Sequence, residues 1–260
     1  MNKKIFAANW KMYLDEVQCI DFVKKINDKK SFFIDEKIIL FPPSTCIRSV
    51  KDNLELENIK VGMQDCSIYW EPYALTGGVS VRSINVDYCM AGHSETRNIT
   101  INSKKMIYDN QYMGLKINNI IAAGVNGIFC VGETLDELKN FKTKEVIKNQ
   151  ISVLKGETKD LIYGSKNDYK FPNLIIAYEP VWSIGSGKIP SMEEIFDILN
   201  FINNELKTIC PNANIKLLYG GSVNEHNVEE LSKIELLDGF LIGGASSNFE
   251  SFYKLINKIK

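Results

Sequence analysis

The stretch IFAANWK (residues 5–11) decides between the two folds that fit this chain. It is a short apolar run that stops abruptly at polar residues, which is typical of a strand buried on both faces of a parallel sheet. An open, doubly wound sheet that binds a dinucleotide would place G-x-G-x-x-G after this strand, but Asn-Trp-Lys stands there. The stretch therefore favours a closed (β/α)8 barrel over an open sheet.

Seven further apolar runs of this kind follow, and each also stops at Gly, Pro or a polar residue. They begin at Ile38, Ile59, Asp87, Gly127, Leu174, Lys216 and Gly239. The intervals between the runs leave room for crossover helices. Two intervals carry apolar stripes with helical spacing, which we expect to face the core. The stripes are Ile195, Ile198, Leu199, Ile202 and Leu206, and Phe249, Phe252, Leu255, Ile256 and Ile259. No Pro/Gly/Ser-rich linker divides the chain, so we expect residues 1–260 to form a single α/β domain, the (β/α)8 barrel.

The composition narrows the classes of function. The chain is 45% hydrophobic and 24% charged, which is ordinary for a globular protein, and its formal net charge is −1. It lacks the basic excess of a nucleic-acid-binding protein, so we expect neither nucleic acid nor a membrane as a partner. The six cysteines and two histidines have no metal-site spacing, and no run has the length of a signal core or a membrane span. We therefore expect a cytoplasmic protein without a metal.

The carboxyl ends of the strands in such a barrel meet at one mouth, where catalytic groups are expected. The residues that follow the runs are Asn9, Lys11, His93, Glu95, Glu133, Glu179, Ser222, Gly243 and Gly244. Glu179 follows an apolar run, and burial there raises the pKa of a carboxylate toward that of a general base, although a structural ion pair is the alternative. A Glu, a His and a Lys together indicate proton abstraction beside a carbonyl, with an enediolate stabilised by His and Lys. That chemistry needs no cofactor.

The last two runs end in Gly220-Gly221-Ser222 and Gly243-Gly244. Glycines let backbone N–H groups approach an anion, and the loops after strands seven and eight of a barrel are a frequent phosphate site. Tight turns explain one such pair easily and two adjacent pairs less well. The pattern therefore favours a small molecule that carries one phosphate.

Six segments resemble the triosephosphate isomerase family, in the family's own order. They are ANWKM (8–12), GHSE (92–95), CVGET (130–134), AYEPVWSIGSG (177–187), YGGSV (219–223) and GFLIGGAS (239–246). The resemblance implies a TIM barrel that interconverts D-glyceraldehyde 3-phosphate and dihydroxyacetone phosphate in glycolysis and gluconeogenesis. By the family's own roles, Glu179 would move the proton and His93 would polarise the carbonyl. Lys11 would supply positive charge, and Asn9 and Glu95 would orient the group.

The resemblance also implies the binding residues and a lid. The substrate or its phosphate would be held by Asn9, Lys11, Gly185, Ser222, Gly243 and Gly244. The lid would comprise Pro180, Val181, Trp182, Ser183, Ile184, Gly185, Ser186, Gly187, Lys188, Ile189 and Pro190. Its closure would exclude water and suppress elimination of phosphate from the intermediate. Ile184 and Leu241 would cover Glu179 with apolar surface.

The chain departs from the family pattern at the mouth and in the lid. Tyr13 stands where the family commonly has Asn, so an isomerase of a four-carbon ketose phosphate remains an alternative. A non-catalytic barrel that binds phosphorylated ligands is the alternative of a different class. Pro190 stands where the family usually has Ala, whose N–H meets the hydroxyl matching Tyr219 in the closed lid. Proline has no N–H, so we predict a closed lid without this bond.

A second departure concerns the subunit interface. Thr96 and Gly78 stand where the family usually has Arg and Glu, which form an ion pair across the dimer. Because both charged residues are missing here, neither leaves an unpaired charge behind. Thr76 is similar to the loop residue that reaches the neighbouring subunit. We therefore expect a homodimer, with Tyr69, Trp70 and Tyr73 as candidate apolar anchors. The chain is also slightly long for the family, and residues 156–172 are predicted to form an elongated surface connection.

Overall fold

The computed structural model describes residues 3–69, 71, 73–101, 104–107, 109–155, 174–211 and 213–260. Trp70 and the predicted connection at residues 156–172 lie outside the described residues. The described chain forms a closed barrel of eight parallel strands, with helices on its outside and a separate two-stranded hairpin.

The ten strands, in chain order, comprise the eight of the barrel and the two of the hairpin. They are β1 (Ile5–Asn9), β2 (Lys37–Phe41), β3 (Lys60–Met63), β4 (Tyr88–Ala91), β5 (Asn98–Ile101), β6 (Lys104–Ile107), β7 (Asn126–Val131), β8 (Leu174–Tyr178), β9 (Lys216–Tyr219) and β10 (Gly239–Ile242). The order around the barrel is β1-β10-β9-β8-β7-β4-β3-β2, and the pair β1/β10 closes it with Phe6 beside Phe240. The eight predicted runs are the eight barrel strands, so the (β/α)8 prediction is confirmed.

The helices of the described chain begin and end between these strands and after β10. They are α1 (Glu16–Asp28), α2 (Lys30–Phe33), α3 (Ile47–Asn53), α4 (Ser94–Arg97), α5 (Asn110–Ala122), α6 (Leu135–Lys139), α7 (Thr143–Ile151), α8 (Met192–Ile209), α9 (Val228–Ser232) and α10 (Phe249–Asn257). Short 3-10 turns lie at Ser44–Cys46, Val81–Ser83, Ser152–Leu154, Val181–Ser183 and Gly244–Ser246. Helices α1, α6 and α8 begin with capping boxes. In each, the side chain of the residue before the helix accepts from the backbone N–H three residues later, and the side chain of that later residue accepts from the first residue's N–H.

The predicted apolar stripes lie against the core. In α8 the stripe is buried except for the half-buried Ile198, and in α10 its first four residues are buried. Ile259 lies beyond the end of α10 but still packs against the core. Within the part of the chain that is described, no helix is long and apolar enough to cross a membrane.

The barrel strands are buried on both faces. On β1, Ala7 points into the barrel, whereas Phe6 and Ala8 pack outward against the helices. The interior is filled by side chains such as Phe41, so tightly that a Cβ on Gly62 would lie 2.3 Å from the Phe41 ring. A filled interior explains why the strand sequences are continuously apolar rather than alternating. It also leaves the carboxyl-end mouth as the open part of the barrel.

The antiparallel hairpin β5–β6 was not among the predicted elements. It lies directly after Arg97, the last residue of α4. All six cysteines are buried free thiols. Within the described ranges no three His, Cys, Asp or Glu side chains are grouped so that they could hold a metal ion.

Candidate active site

A cavity of about 280 Å³ opens at the carboxyl ends of the barrel strands. Its lining includes most of the residues predicted for catalysis and binding, namely Asn9, Lys11, His93, Glu179, Ile184, Gly185, Ser222, Leu241, Gly243 and Gly244. Tyr13 lines it as well. Glu95 does not line this cavity but contacts two residues that do, Lys11 and His93. A larger cavity of about 500 Å³ lies beside residues 67–83, away from this group of titratable side chains.

Glu179 is fixed at the end of β8 by its backbone. Its N–H donates to the Val131 carbonyl at 2.8 Å, which continues the pairing of β7 with β8 beyond Tyr178. A Cβ on Gly132 would lie only 1.8 Å from the Glu179 carbonyl oxygen, so the close approach of the two chains requires glycine there. The carboxylate therefore projects from a rigid position into the mouth.

The carboxylate of Glu179 is almost completely buried. Its Oε1 lies 3.3 Å from Nε2 of His93, and its Oε2 accepts a hydrogen bond from the Ser94 N–H at 3.3 Å. Burial raises the pKa of Glu179 above that of an ordinary glutamate, although His93, the Ser94 N–H, Lys11 and Arg97 oppose the rise. A poorly solvated carboxylate with a raised pKa is suited to take a proton from carbon.

His93 is oriented by the backbone of its own loop. The Glu95 N–H donates to Nδ1 of His93 at 3.2 Å, so Nδ1 acts as an acceptor. In a neutral imidazole the proton is then on Nε2, the nitrogen that faces Glu179 and the cavity. Thr96 supports the same loop, because its hydroxyl donates to the His93 carbonyl at 2.9 Å. The ring therefore presents an N–H donor to whatever occupies the cavity.

Lys11 is held in a strained conformation at the end of β1. Its φ is +47°, in the left-handed region that non-glycine residues rarely adopt. Its N–H donates to Asn9 Oδ1 at 3.1 Å, and Gln64 Nε2 donates to its carbonyl at 2.7 Å. Its Nζ donates to Glu95 Oε1 at 2.5 Å. These contacts place an ammonium group at the mouth, beside Gly243.

The two Gly-Gly pairs line the cavity beside Lys11, but packing explains some of these glycines on its own. A Cβ on Gly221 would lie 2.2 Å from the Tyr219 hydroxyl, and one on Gly220 would lie 2.9 Å from Glu179 Cγ. Gly244 is different, because a Cβ there would meet no atom within 4 Å. The backbone of this part of the mouth is therefore open enough for an anion to approach.

The predicted lid segment (residues 180–190) lies next to these glycines. Its first part forms the 3-10 turn Val181–Ser183, and Trp182 Nε1 donates to Glu133 Oε1 at 2.8 Å. Gly185 and Gly187 have φ values of +67° and +73°, which favour glycine. The Ser222 hydroxyl donates to the Ser183 carbonyl at 2.6 Å, so the segment is bonded to the Gly220-Gly221-Ser222 loop after β9.

The expected interface residues lie on a different part of the surface. Thr76 is exposed, and the rings of Tyr69 and Tyr73 stack with centroids 4.0 Å apart. Gly78 and Thr96 line a cavity of about 340 Å³ together with Glu95. The same cavity is bordered by an ion pair in which Lys116 Nζ lies 2.6 Å from Asp65 Oδ2, which the sequence did not suggest.

Several supporting residues were missed by sequence reasoning. Arg97 is buried, and its guanidinium donates to the carbonyls of Gly92 and Cys130 at 2.7 and 3.0 Å, which links the loop after β4 to strand β7. Burial lowers the pKa of Arg97 to about 10, so it keeps its charge at neutral pH. Gln64 likewise donates from its side chain to backbone carbonyls, those of Lys11 and Phe41, whereas Ser94 uses its own backbone N–H to bond the Glu179 carboxylate. No sequence pattern marks a side chain whose partners are carbonyls far along the chain.

Comparison with known proteins gives one family. The family model described as triosephosphate isomerase matches residues 4–259. The chain is 34% identical over 265 residues to a triosephosphate isomerase of Legionella pneumophila (strain Paris), and 36% identical over 271 residues to one of Borreliella burgdorferi (strain ZS7). Both alignments cover 100% of each chain. A triosephosphate isomerase of Carboxydothermus hydrogenoformans is 36% identical, with 98% of each chain covered.

Proposed function

The chain belongs to the triosephosphate isomerase family, and on that premise we propose that its barrel mouth interconverts D-glyceraldehyde 3-phosphate and dihydroxyacetone phosphate through an enediolate. The observation that carries the proposal is the placement of the Glu179 carboxylate 3.3 Å from His93 Nε2, in a cavity whose other wall is formed by Gly243 and Gly244. A base, a hydrogen-bond donor and an open anion site are thus within reach of one small molecule.

Glu179 is the general base. It removes a proton from the hydroxyl-bearing carbon next to the substrate carbonyl and returns it to the former carbonyl carbon, while His93 passes the hydroxyl proton from one oxygen to the other. Together these two transfers convert ketose to aldose. Its buried position, with Ile184 and Leu241 lining the same cavity, weakens solvation of the carboxylate and strengthens it as a base. Glu179 also bonds the Ser94 N–H in the structure, so substrate binding must draw the carboxylate toward carbon.

His93 and Lys11 stabilise the charge that develops on oxygen. The Nε2–H of His93 donates to the carbonyl oxygen of the substrate and then to the enediolate, while the Glu95 N–H keeps Nδ1 as the acceptor. Lys11 places its ammonium group beside Gly243, where it lowers the energy of both the enediolate and the phosphate. The Asn9 side chain accepts a hydrogen bond from the Lys11 N–H and so holds the strained Lys11 backbone in place.

The phosphate of the substrate is bound by backbone N–H groups rather than by a cluster of cations. Ser222, Gly243 and Gly244 provide the open backbone at the ends of β9 and β10, and Gly185 approaches from the lid. The residues 180–190 close over the bound substrate, so that water is excluded and the enediolate is not lost by phosphate elimination. No step requires a cofactor.

A coupled isomerase assay in both directions tests the proposal, with Glu179→Gln as the decisive variant. The glutamine keeps the size of the side chain but cannot accept a proton, so turnover is expected to fall by about 10²- to 10⁴-fold. Binding of inorganic phosphate should be retained, because Ser222, Gly243 and Gly244 are unchanged. A purified wild type that binds phosphate but has no isomerase activity would instead support the non-catalytic phosphate-binding barrel.

Tyr13 keeps the second substrate under consideration, because its side chain lines the cavity at the mouth. An enzyme adapted to a four-carbon ketose phosphate would convert it with a higher kcat/KM than dihydroxyacetone phosphate. Comparing the two specificity constants separates these substrates. Replacing Tyr13 with Asn should raise the triose preference if the ring shapes the pocket for the longer chain.

The assembly is proposed to be a homodimer of single-domain barrels, with a cytoplasmic location that follows the family's role in glycolysis. Exposed Thr76, the stacked pair Tyr69 and Tyr73, and the cavity beside Thr96 and Gly78 support a second copy as the partner of this surface. Light scattering across a dilution series tests this. A protein that is monomeric and fully active at all concentrations would contradict dependence on dimerisation.

A further inference from the structure

Ser183 lies in the first part of the lid segment and is fully buried. Its hydroxyl faces the Gly220-Gly221-Ser222 loop after β9. Its Oγ is 2.6 Å from the Lys188 carbonyl, 3.4 Å from the Ser222 N–H nitrogen and 3.5 Å from the Tyr219 hydroxyl oxygen. A serine hydroxyl has one proton and two acceptor lone pairs. The carbonyl can only accept, so Ser183 donates to Lys188 and accepts from both Ser222 and Tyr219. This one hydroxyl therefore has its full set of partners.

The backbone carbonyl of Ser183 makes a second connection to the same loop. It accepts from the Ser222 hydroxyl at 2.6 Å and also from the Ser186 hydroxyl at 3.0 Å. Both the N–H and the O–H of Ser222 are thus directed at Ser183 in the structure. The two groups that Ser222 can offer an anion are already in use.

Tyr219 explains why a hydroxyl is needed at position 183. The Tyr219 ring is completely buried, and a buried hydroxyl requires a partner. Pro190, at the far end of the lid, has no N–H to offer it. Burial raises the pKa of Tyr219 to about 12, so this group keeps its proton and serves as a donor. Ser183 accepts a hydrogen bond from the Tyr219 hydroxyl in the structure, which an alanine could not do.

We propose that Ser183 is a positioning residue that holds the lid segment in its observed position by occupying Ser222 and Tyr219, so that a phosphate must displace it to bind. The inference rests on the proposed function insofar as Ser222 belongs to the phosphate site. Phosphate and Ser183 compete for the same two donors of Ser222. Binding of the anion is thereby coupled to release of the first half of the lid.

Ser183→Ala tests the coupling by titration of the full chain with inorganic phosphate in a calorimeter. Alanine removes the hydrogen bonds that the Ser183 hydroxyl makes in the observed position of the lid. Phosphate then has fewer bonds to displace, so its Kd is expected to fall about three- to tenfold. The KM for dihydroxyacetone phosphate should fall with it, whereas kcat should not rise. A purely structural defect would weaken phosphate binding or raise KM.

Ser186→Ala is the matched comparison. Its hydroxyl bonds the same Ser183 carbonyl and lies in the same segment, but it does not contact Ser222. The Kd for phosphate in this variant is expected to stay within about twofold of the wild-type value. If Ser183→Ala does not fold, Tyr219→Phe replaces it, because it removes one donor to Ser183 and should tighten phosphate binding in the same direction.

The outcomes separate this inference from the proposed function. A wild type that binds phosphate without isomerase activity refutes the function, and the effect of Ser183→Ala on phosphate binding can still be measured. An active wild type whose Ser183→Ala variant binds phosphate equally or less well overturns the inference alone. A wild type that binds no phosphate overturns it as well.

Discussion

Gly220→Ala is predicted to damage catalysis by moving the base, not by blocking the phosphate. A Cβ at this position would lie 2.9 Å from Glu179 Cγ and 3.5 Å from Leu241 Cβ. Carbon atoms normally pack about 3.5 to 4.0 Å apart, so one partner must shift by about 0.6 to 1 Å. The Glu179 backbone is held by β7 and Gly132, which leaves its side chain as the part that moves.

The size of the effect follows from that displacement. A misplacement of about 1 Å at a catalytic group can cost about 10²-fold in rate, which corresponds to about 2.7 kcal/mol in the activation free energy. The shift also disturbs the 3.3 Å contact with the Ser94 N–H and the 3.3 Å approach to His93 Nε2. We therefore expect kcat to fall about 100-fold while KM changes little.

The assay is the coupled isomerase reaction, with kcat and KM determined separately and the thermal unfolding midpoint measured alongside. Gly244→Ala provides the contrast, because its new methyl would meet no protein atom within 4 Å but would lie in the anion site. That variant should raise KM and largely keep kcat. If Gly220→Ala instead raises KM at an unchanged kcat, the reasoning about Glu179 is refuted.

Three further predictions follow from single groups. The acid limb of the kcat/KM profile should lie above the ordinary glutamate range, because burial raises the pKa of Glu179 and activity is lost as pH falls through that value; a flat profile through that range would contradict it. Pro190→Ala supplies the N–H that the family pattern pairs with the Tyr219 hydroxyl in the closed lid, and should favour closure by about 0.5 to 1.5 kcal/mol, seen as changed turnover or a lower phosphate-elimination ratio; no change in either would contradict it. Lys116→Met removes the partner of Asp65 and should lower the free energy of unfolding in urea by about 2 kcal/mol, whereas the double variant with Asp65→Asn should recover most of it.

The barrel could be predicted because its strands are buried on both faces. Residues such as Phe6 and Ala7 on β1 pack against helices and interior respectively, so the sequence carries a continuous apolar run. Glu179 and His93 could be placed together for a related reason, since the carboxyl ends of parallel strands share one mouth. The hairpin β5–β6 lacked such a signal, as it belongs to neither layer of the barrel.

The supporting contacts could not be predicted, because they depend on which backbone groups come close in three dimensions. Gln64 bonds the carbonyls of Lys11 and Phe41. Ser183 bonds the Lys188 carbonyl and, at the end of β9, the Tyr219 hydroxyl and the Ser222 N–H. A glutamine or serine in these positions looks like any polar loop residue in the sequence. Similarly, the glycines at 220 and 221 indicated a phosphate site, whereas the structure adds that packing against Glu179 and Tyr219 requires them.

The central claim is that Glu179 moves a proton between two carbons of a triose phosphate. Incubation of dihydroxyacetone phosphate with the protein in D₂O, followed by ¹H NMR, tests it directly. The wild type is expected to form glyceraldehyde 3-phosphate carrying deuterium from the solvent. Glu179→Gln, in which His93 is unchanged, is expected to show neither product nor exchange above background. Deuterium exchange at a wild-type rate in Glu179→Gln, or its absence in the wild type, would contradict the claim.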